Sequence, residues 1–159
     1  MSKKLLDLGH KVIGIDNMIG GYEDNIHQNI EFHNLDCSDF SKVKNIMKNI
    51  DVVYHCAATA HEGLSVFSPY EITRNNYLAS VSIFSAAINE KVKRIIYCSS
   101  MARYGDQKTP FTEDMKAKPV DPYGISKVAA EEVLKNLCEL NNIEYVIAVP
   151  HNILSLIHI

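Results

Sequence analysis

Arg94-Ile-Ile-Tyr-Cys-Ser-Ser100 is followed by an aperiodic stretch, then by Tyr123-Gly-Ile-Ser-Lys-Val-Ala-Ala-Glu-Glu-Val-Leu-Lys-Asn-Leu-Cys-Glu-Leu-Asn-Asn142, then by Glu144-Tyr-Val-Ile-Ala-Val-Pro150. The outer pieces are short, rich in β-branched and aromatic residues, and show little polar alternation. That is the pattern of strands buried on both faces of a parallel sheet. The middle piece places Ile125, Val128, Ala129, Val133, Leu137 and Leu140 at helical spacing, which predicts that they mark its buried side. Two parallel strands need a crossover of this length between them, and such crossovers are right-handed.

The same alternation extends towards the N-terminus. Val12–Asp16, Ile30–Asp36 and Asp51–Ala58 read as further strands. Ser38 can cap a helix through Val43, Ile46 and Met47, and Ser68-Pro69 opens a long one through Ile72, Leu78, Val81, Ile83, Phe84 and Ile88. The fold class is therefore α/β, a doubly wound parallel sheet of about five strands with helices on both faces. Lys108–Asp121, with Pro110 and Pro119, reads as a loop. Residues 2–9 read as the end of a helix, with Leu5, Leu6 and Leu8 apolar and Gly9 at the stop position. A helix feeding straight into a strand is the second half of a β-α-β unit, so its first strand and turn are expected upstream.

Composition narrows the class. At 159 residues, 47% hydrophobic and 22% charged, the chain fits one soluble domain. A net charge of −3 and a pI near 6.1 disfavour a nucleic-acid or anionic-membrane surface. No apolar run approaches the roughly 20 residues that span a bilayer, and no signal peptide is visible. Cys37, Cys56, Cys98 and Cys138 lie far apart in sequence, with no C-x-x-C pair, so reduced thiols in a cytoplasmic protein are expected. His55, His61 and His151 lack a ligand-rich surround, so no metal site is expected.

Three positions point to chemistry. Asp16 ends a strand, where an acidic side chain of a dinucleotide fold accepts hydrogen bonds from the adenosine ribose and favours NAD over NADP; an Asp there can equally form a turn. Gly20-Gly21 follows the second strand of such a unit rather than the first and reads as a flexible loop. Tyr123 and Lys127 are four apart on a predicted helix, one above the other. A phenol of pKa about 10 is a poor base at neutral pH, and the ammonium is expected to lower that value and make a usable general acid/base. Ser99 and Ser100 end a strand upstream, where hydroxyls face the ligand crevice of a parallel sheet. Cys98 beside them reads as a core-strand thiol, and Glu113 and Asp114 as a solvated loop.

Asp16-Asn17, Leu35-Asp36, His55-Cys56-Ala57-Ala58, Asn75-Asn76, Ser99-Ser100-Met-Ala-Arg-Tyr-Gly105, Asp121-Pro-Tyr-Gly-Ile-Ser-Lys127 and Pro150-His151-Asn152 together resemble the motif series of the extended short-chain dehydrogenase/reductases. Within that superfamily they are most similar to the NAD-dependent UDP-glucose 4-epimerase group. The resemblance implies a Rossmann-like NAD-binding domain over residues 1–153, incomplete at both ends, and an unmatched tail over 154–159. It implies NAD as cofactor, a UDP-sugar or related nucleotide sugar as substrate, and a homodimer for the full-length protein. By the same resemblance Asp16 and Asn17 hold the adenosine ribose, Asp36 and Cys37 flank the adenine, Cys56, Ala57 and Ala58 line the dinucleotide, and Asn76 lies behind the nicotinamide. Ser100 bonds the reacting hydroxyl, Tyr123 exchanges its proton, Lys127 holds the nicotinamide ribose, and His151 and Asn152 begin a stretch contacting cofactor and sugar nucleotide.

Three departures accompany the resemblance. The family's G-x-x-G-x-x-G turn is absent, Leu154–Ile159 matches nothing in the family, and Arg103 stands where a small apolar residue is usual. The 159 residues by themselves are therefore expected to be an inactive fragment. Two rivals are a nucleotide-sugar 4,6-dehydratase and a non-catalytic nucleotide-binding or interaction domain. Dehydratases carry an Asp-Glu pair where this chain has Met101 and Ala102, and the Ser100/Tyr123/Lys127 set argues against the second rival.

Overall fold

A computed structural model describes residues 1–151 of the chain. Five strands form, β1 (Ile13–Asp16), β2 (Glu31–Asn34), β3 (Val52–His55), β4 (Arg94–Cys98) and β5 (Glu144–Ala148). The helices are α1 (Ser2–Asp7), α2 (Phe40–Ile46), α3 (Pro69–Ile72), α4 (Ala79–Asn89) and α5 (Pro122–Asn141), with a π-helical segment Thr73–Leu78 joining α3 to α4. Every strand pairing is parallel, as expected, but the strands form two sheets rather than one. One has the order β1-β2 and the other β3-β4-β5. The hydrogen bonds that would join them are absent among the described residues, although both sheets pack on one core, to which β1 contributes Ile15 and β3 contributes Val53.

That core is built from Val43 and Met47 at α2, Ile83, Phe84, Ala86 and Ala87 of α4, Ile95 and Tyr97 of β4, and Ala130, Leu134 and Cys138 of α5. Helix α4 touches both α2 and α5. In the three-stranded sheet the residues facing this layer alternate with exposed ones: Val52, Tyr54 and Val146 are exposed. Helices α2, α4 and α5 pack on the buried face of this sheet, and the class is the expected α/β one.

Helix ends follow local chemistry. Asp39, not Ser38, caps α2, its side chain accepting from the Lys42 N–H at 3.3 Å. Ser38 instead donates its backbone N–H and its hydroxyl to Asp36, at 2.8 and 2.7 Å. Asp121 caps α5 by accepting from the Gly124 N–H at 2.9 Å, with Pro122 at the first helical position. The buried side of α5 also differs from the predicted one. Ile125 is 54% and Leu140 73% exposed, whereas Tyr123, Ser126, Lys127, Ala130, Glu131, Leu134 and Cys138 are buried. The inward stripe of this helix is polar over its first turns because it faces the functional end of the sheet.

His55 closes the core beneath that end. Its ring stacks on Tyr97 at 5.6 Å, meets Phe84 edge-on at 5.5 Å, and its Nε2 lies 2.8 Å from Ser80 Oγ. Burial, seconded by the Lys127 charge, pushes its pKa from 6.5 down to about 3. The folded state therefore holds His55 neutral while the unfolded chain takes up a proton below pH 6.5. Stability is fully present above pH 6.5 and falls with acidification through that window, by up to about 1.4 kcal/mol per pH unit. Denaturant melts between pH 7 and 5 should show this slope, and His55→Asn should flatten it. An unchanged slope in that variant would assign the acid lability elsewhere.

Candidate active site

The functional end of the sheet forms where β3 and β4 stop. Ser100, directly after β4, has extended backbone and caps the short 3-10 turn Met101–Tyr104, its Oγ accepting from the Ala102 N–H at 3.2 Å. Helix α5 starts against this turn. A Cβ on Gly124 would lie 2.8 Å from the Ala102 carbonyl oxygen, so only glycine lets the helix come this close. That approach brings Tyr123 up to Ser100, whose hydroxyl eases ionisation of the phenol. Lys127 lies one turn further along α5, is 3% exposed, and donates from Nζ to the Cys98 carbonyl at 2.9 Å. Its Nζ is 5.8 Å from the centre of the Tyr123 ring.

The electrostatics differ from the expectation in one respect. Burial raises the pKa of Tyr123, and the Ser100 hydroxyl opposes that rise without overcoming it. Burial likewise lowers that of Lys127, against the nearby Cys98, Cys56 and Glu131. The protein alone thus holds the phenol in its protonated form. The Ser100 hydroxyl eases its ionisation.

Behind these residues lies a buried ion pair that the sequence did not reveal. Glu131, 1% exposed and one turn beyond Lys127, accepts a hydrogen bond from the Ser99 hydroxyl and lies 3.1 Å from Arg103 Nη2. Arg103 also stacks over Tyr104, 5.1 Å from its ring centre. The unusual residue at 103 therefore has a structural partner. The pair ties the strand end, the turn and α5 together behind Ser100.

Cys56, Ala58, Cys98, Ser100, Tyr123, Lys127 and His151 line one cleft of about 520 Å³, with Ala60, Glu62, Ser99, Met101, Ala102, Gly105 and Pro150. A profile of the NAD dependent epimerase/dehydratase family matches residues 1–156. This chain belongs to that family. It is 33% identical over 147 residues to a putative UDP-glucose 4-epimerase of Methanocaldococcus jannaschii, covering 91% of this chain and 48% of the relative. The UDP-glucose 4-epimerase of Thermotoga maritima, solved with UDP-glucose, superposes with a TM-score of 0.87 at 28% identity, over 92% of this chain and 49% of that one. The Brucella ovis UDP-glucose 4-epimerase, solved in complex with NAD, gives a TM-score of 0.85 at 28% identity, over 92% and 46%. The chain thus spans about half the length of the curated relatives it matches.

The family's cofactor can be tested against the side chains present. Around the cleft, small residues (Cys56, Ala58, Ala60) leave backbone approachable, and Ser100, Tyr123 and Lys127 supply hydroxyls and a cation. These fit the nicotinamide half of a dinucleotide. The other expected cofactor residues do not line this cleft. Asp16 is exposed at the end of β1, with one carboxylate oxygen accepting from the Met18 N–H at 2.7 Å, and Asn17 similarly receives the Ile19 N–H at 3.2 Å. Asp36 pairs with Arg74 at 2.5 Å; burial would raise its pKa, but the Ser38 bonds and the Arg74 cation hold it low. Cys37 is buried, its thiol pushed up to about 11. Ala57 packs towards the core.

Asn76 is fully engaged inside the protein, accepting from the Thr59 N–H at 2.7 Å and donating to the Thr59 carbonyl at 3.2 Å. It sits in the π-helical segment, a form frequent at functional sites, and pins the loop that follows Ala58. Cys98 is half-buried and lines the cleft, so it is not the core thiol expected. Asn152 lies outside the described residues. Among the described residues no group of three or more His, Cys, Asp or Glu could hold a metal, and no helix is long and apolar enough to cross a membrane.

Proposed function

We propose that the protein carrying this chain is an NAD-dependent nucleotide-sugar 4-epimerase acting on a UDP-sugar, in which Tyr123 is the general acid/base. The observation that carries this reading is the meeting of Ser100, Tyr123 and Lys127 at the ends of β3 and β4. Met101 and Ala102, which stand among the residues lining the same cleft, supply no acid or base there, which favours epimerisation over 4,6-dehydration. NAD, when bound, supplies the hydride acceptor and donor.

The residues of the chain do the rest. Tyr123, as phenolate, takes the proton of the sugar C4 hydroxyl while Ser100 orients that hydroxyl. With NAD bound to accept the C4 hydride, loss of both proton and hydride would leave a 4-ketose; once hydride returned to its other face, Tyr123 would give the proton back. Lys127 holds the nicotinamide ribose in this reading, which its buried Nζ, donating to the Cys98 carbonyl in the same cleft, supports. Asp16 and Asn17 serve the adenosine ribose, and Asp36 and Cys37 the adenine side. Ala57 and Asn76 act through the backbone they position, and His151 and Asn152 begin the sugar-nucleotide wall.

Because the phenolate is the working form and burial raises the Tyr123 pKa, kcat/KM of the family-length enzyme should rise with pH through the neutral range. Ser100→Ala removes the hydroxyl that eases ionisation, so the whole profile should move to higher pH as well as fall in height. A profile that drops as pH rises, or one unmoved by Ser100→Ala, would remove Tyr123 from the role of base.

A further inference from the structure

Two of the four cysteines, distant in sequence, become neighbours in the sheet. Strand β3 pairs with β4 in parallel register, with Tyr54 opposite Ile96 and His55 opposite Tyr97. Continuing by one residue sets Cys56 beside Cys98. Side chains alternate across a sheet: His55 and Tyr97 face the helical core, so Cys56 and Cys98 both turn to the opposite, open face. Both line the cleft, Cys56 exposed and Cys98 half-buried. Adjacent strands lie about 4.8 Å apart, within the roughly 4.4–6.8 Å between Cα atoms that a disulfide spans.

We propose that Cys56 and Cys98 form a dithiol site in the floor of the cleft, which a low-molecular-weight disulfide oxidises to an intramolecular Cys56–Cys98 bond. The Cys56 thiol, the more exposed of the two, loses its proton and attacks the oxidant's S–S bond. One thiol leaves and a mixed disulfide remains on Cys56. Cys98 then loses its proton and attacks the Cys56 sulfur, expelling the second thiol. Two thiols are oxidised, the oxidant takes two electrons, and its two leaving thiolates take the two protons.

The surroundings set the rate and the consequence. Burial, together with Cys98, raises the Cys56 pKa against the opposing pull of Lys127. The reaction is therefore slow at neutral pH and accelerates about tenfold per pH unit while the thiolate is scarce. The Cys98 carbonyl anchors Lys127, and Ser99 and Ser100 follow directly, so a bond drawn across this floor acts on the residues of the site. No third ligand accompanies the pair among the described residues, which separates it from a metal site.

The test uses the 159-residue chain. Reduced protein is incubated with oxidised glutathione at pH 7 and pH 8, quenched with N-ethylmaleimide, digested with trypsin and read by mass spectrometry. The expected product is a linked pair of peptides carrying Cys56 and Cys98, formed faster at pH 8 and reversed by dithiothreitol. Cys37 and Cys138 should stay alkylated. In urea the specific link should fall at least tenfold and the pairing become mixed. Glutathione retained on Cys56 without the link, both thiols left free, or a link formed equally well in urea would each overturn the proposal.

Discussion

Replacing Tyr123 with phenylalanine in the family-length protein is expected to lower kcat by at least about 100-fold, the usual effect of losing a general acid/base, with UDP-sugar affinity changed only a few-fold. The phenol is buried, lies in the same cleft as Ser100 and is held beside Lys127. Phenylalanine keeps the ring's packing against the Ile72 and Ala102 cluster and removes only the oxygen. The loss should therefore appear in turnover and not in folding. Steady-state rates with a parallel thermal melt separate the two effects. Turnover within a few-fold of the parent, with an intact melt, would show that another group moves the proton.

The second large effect concerns stability. Glu131→Gln should destabilise the fold by about 3–5 kcal/mol, the range found when one partner of a buried ion pair is removed. For a domain of this size that corresponds to a melting temperature lower by roughly 10 °C. The variant leaves the Arg103 guanidinium, itself only 13% exposed on its side chain, without its carboxylate, and weakens the bond from Ser99. Removing both charges, as Glu131→Leu with Arg103→Met, should recover most of the loss, because two apolar groups of similar volume need no partner. Denaturant unfolding of the two variants decides the matter. A single variant costing under about 1 kcal/mol, or a double variant worse than the single, would show that the pair does not hold this end of the sheet.

Much of this was legible in the sequence. The strand–helix alternation predicted five parallel strands, and all five form. Tyr123, Lys127 and Ser100 were legible because their spacing is tied to one helix turn and one strand end, both local features. The readings that missed depended on partners distant in the chain. The division into two sheets turns on which strand edges meet, and no local pattern records that. Ile125 and Leu140 look internal by hydropathy alone, yet the buried stripe of α5 carries Ser126, Lys127 and Glu131.

Glu131 reads as one of two surface acids beside Glu132. The only hint of its role is that it follows Lys127 by four positions and so shares its face. Ser38 and Asp39 are both competent caps, and the choice fell to Asp39 because Ser38 bonds Asp36. The contact between Cys56 and Cys98 rests on strand register, which spacing along the chain cannot express.

The most direct test of the epimerase reading follows the hydrogen at the sugar's C4. UDP-galactose carrying deuterium at C4 is incubated with the family-length protein and NAD, and the products are read by proton NMR. The expected result is UDP-glucose with the deuterium still at C4, since the hydride removed from that carbon is the one returned to it. A 4-keto-6-deoxy product, deuterium exchanged to solvent, or no conversion at all would contradict the reading.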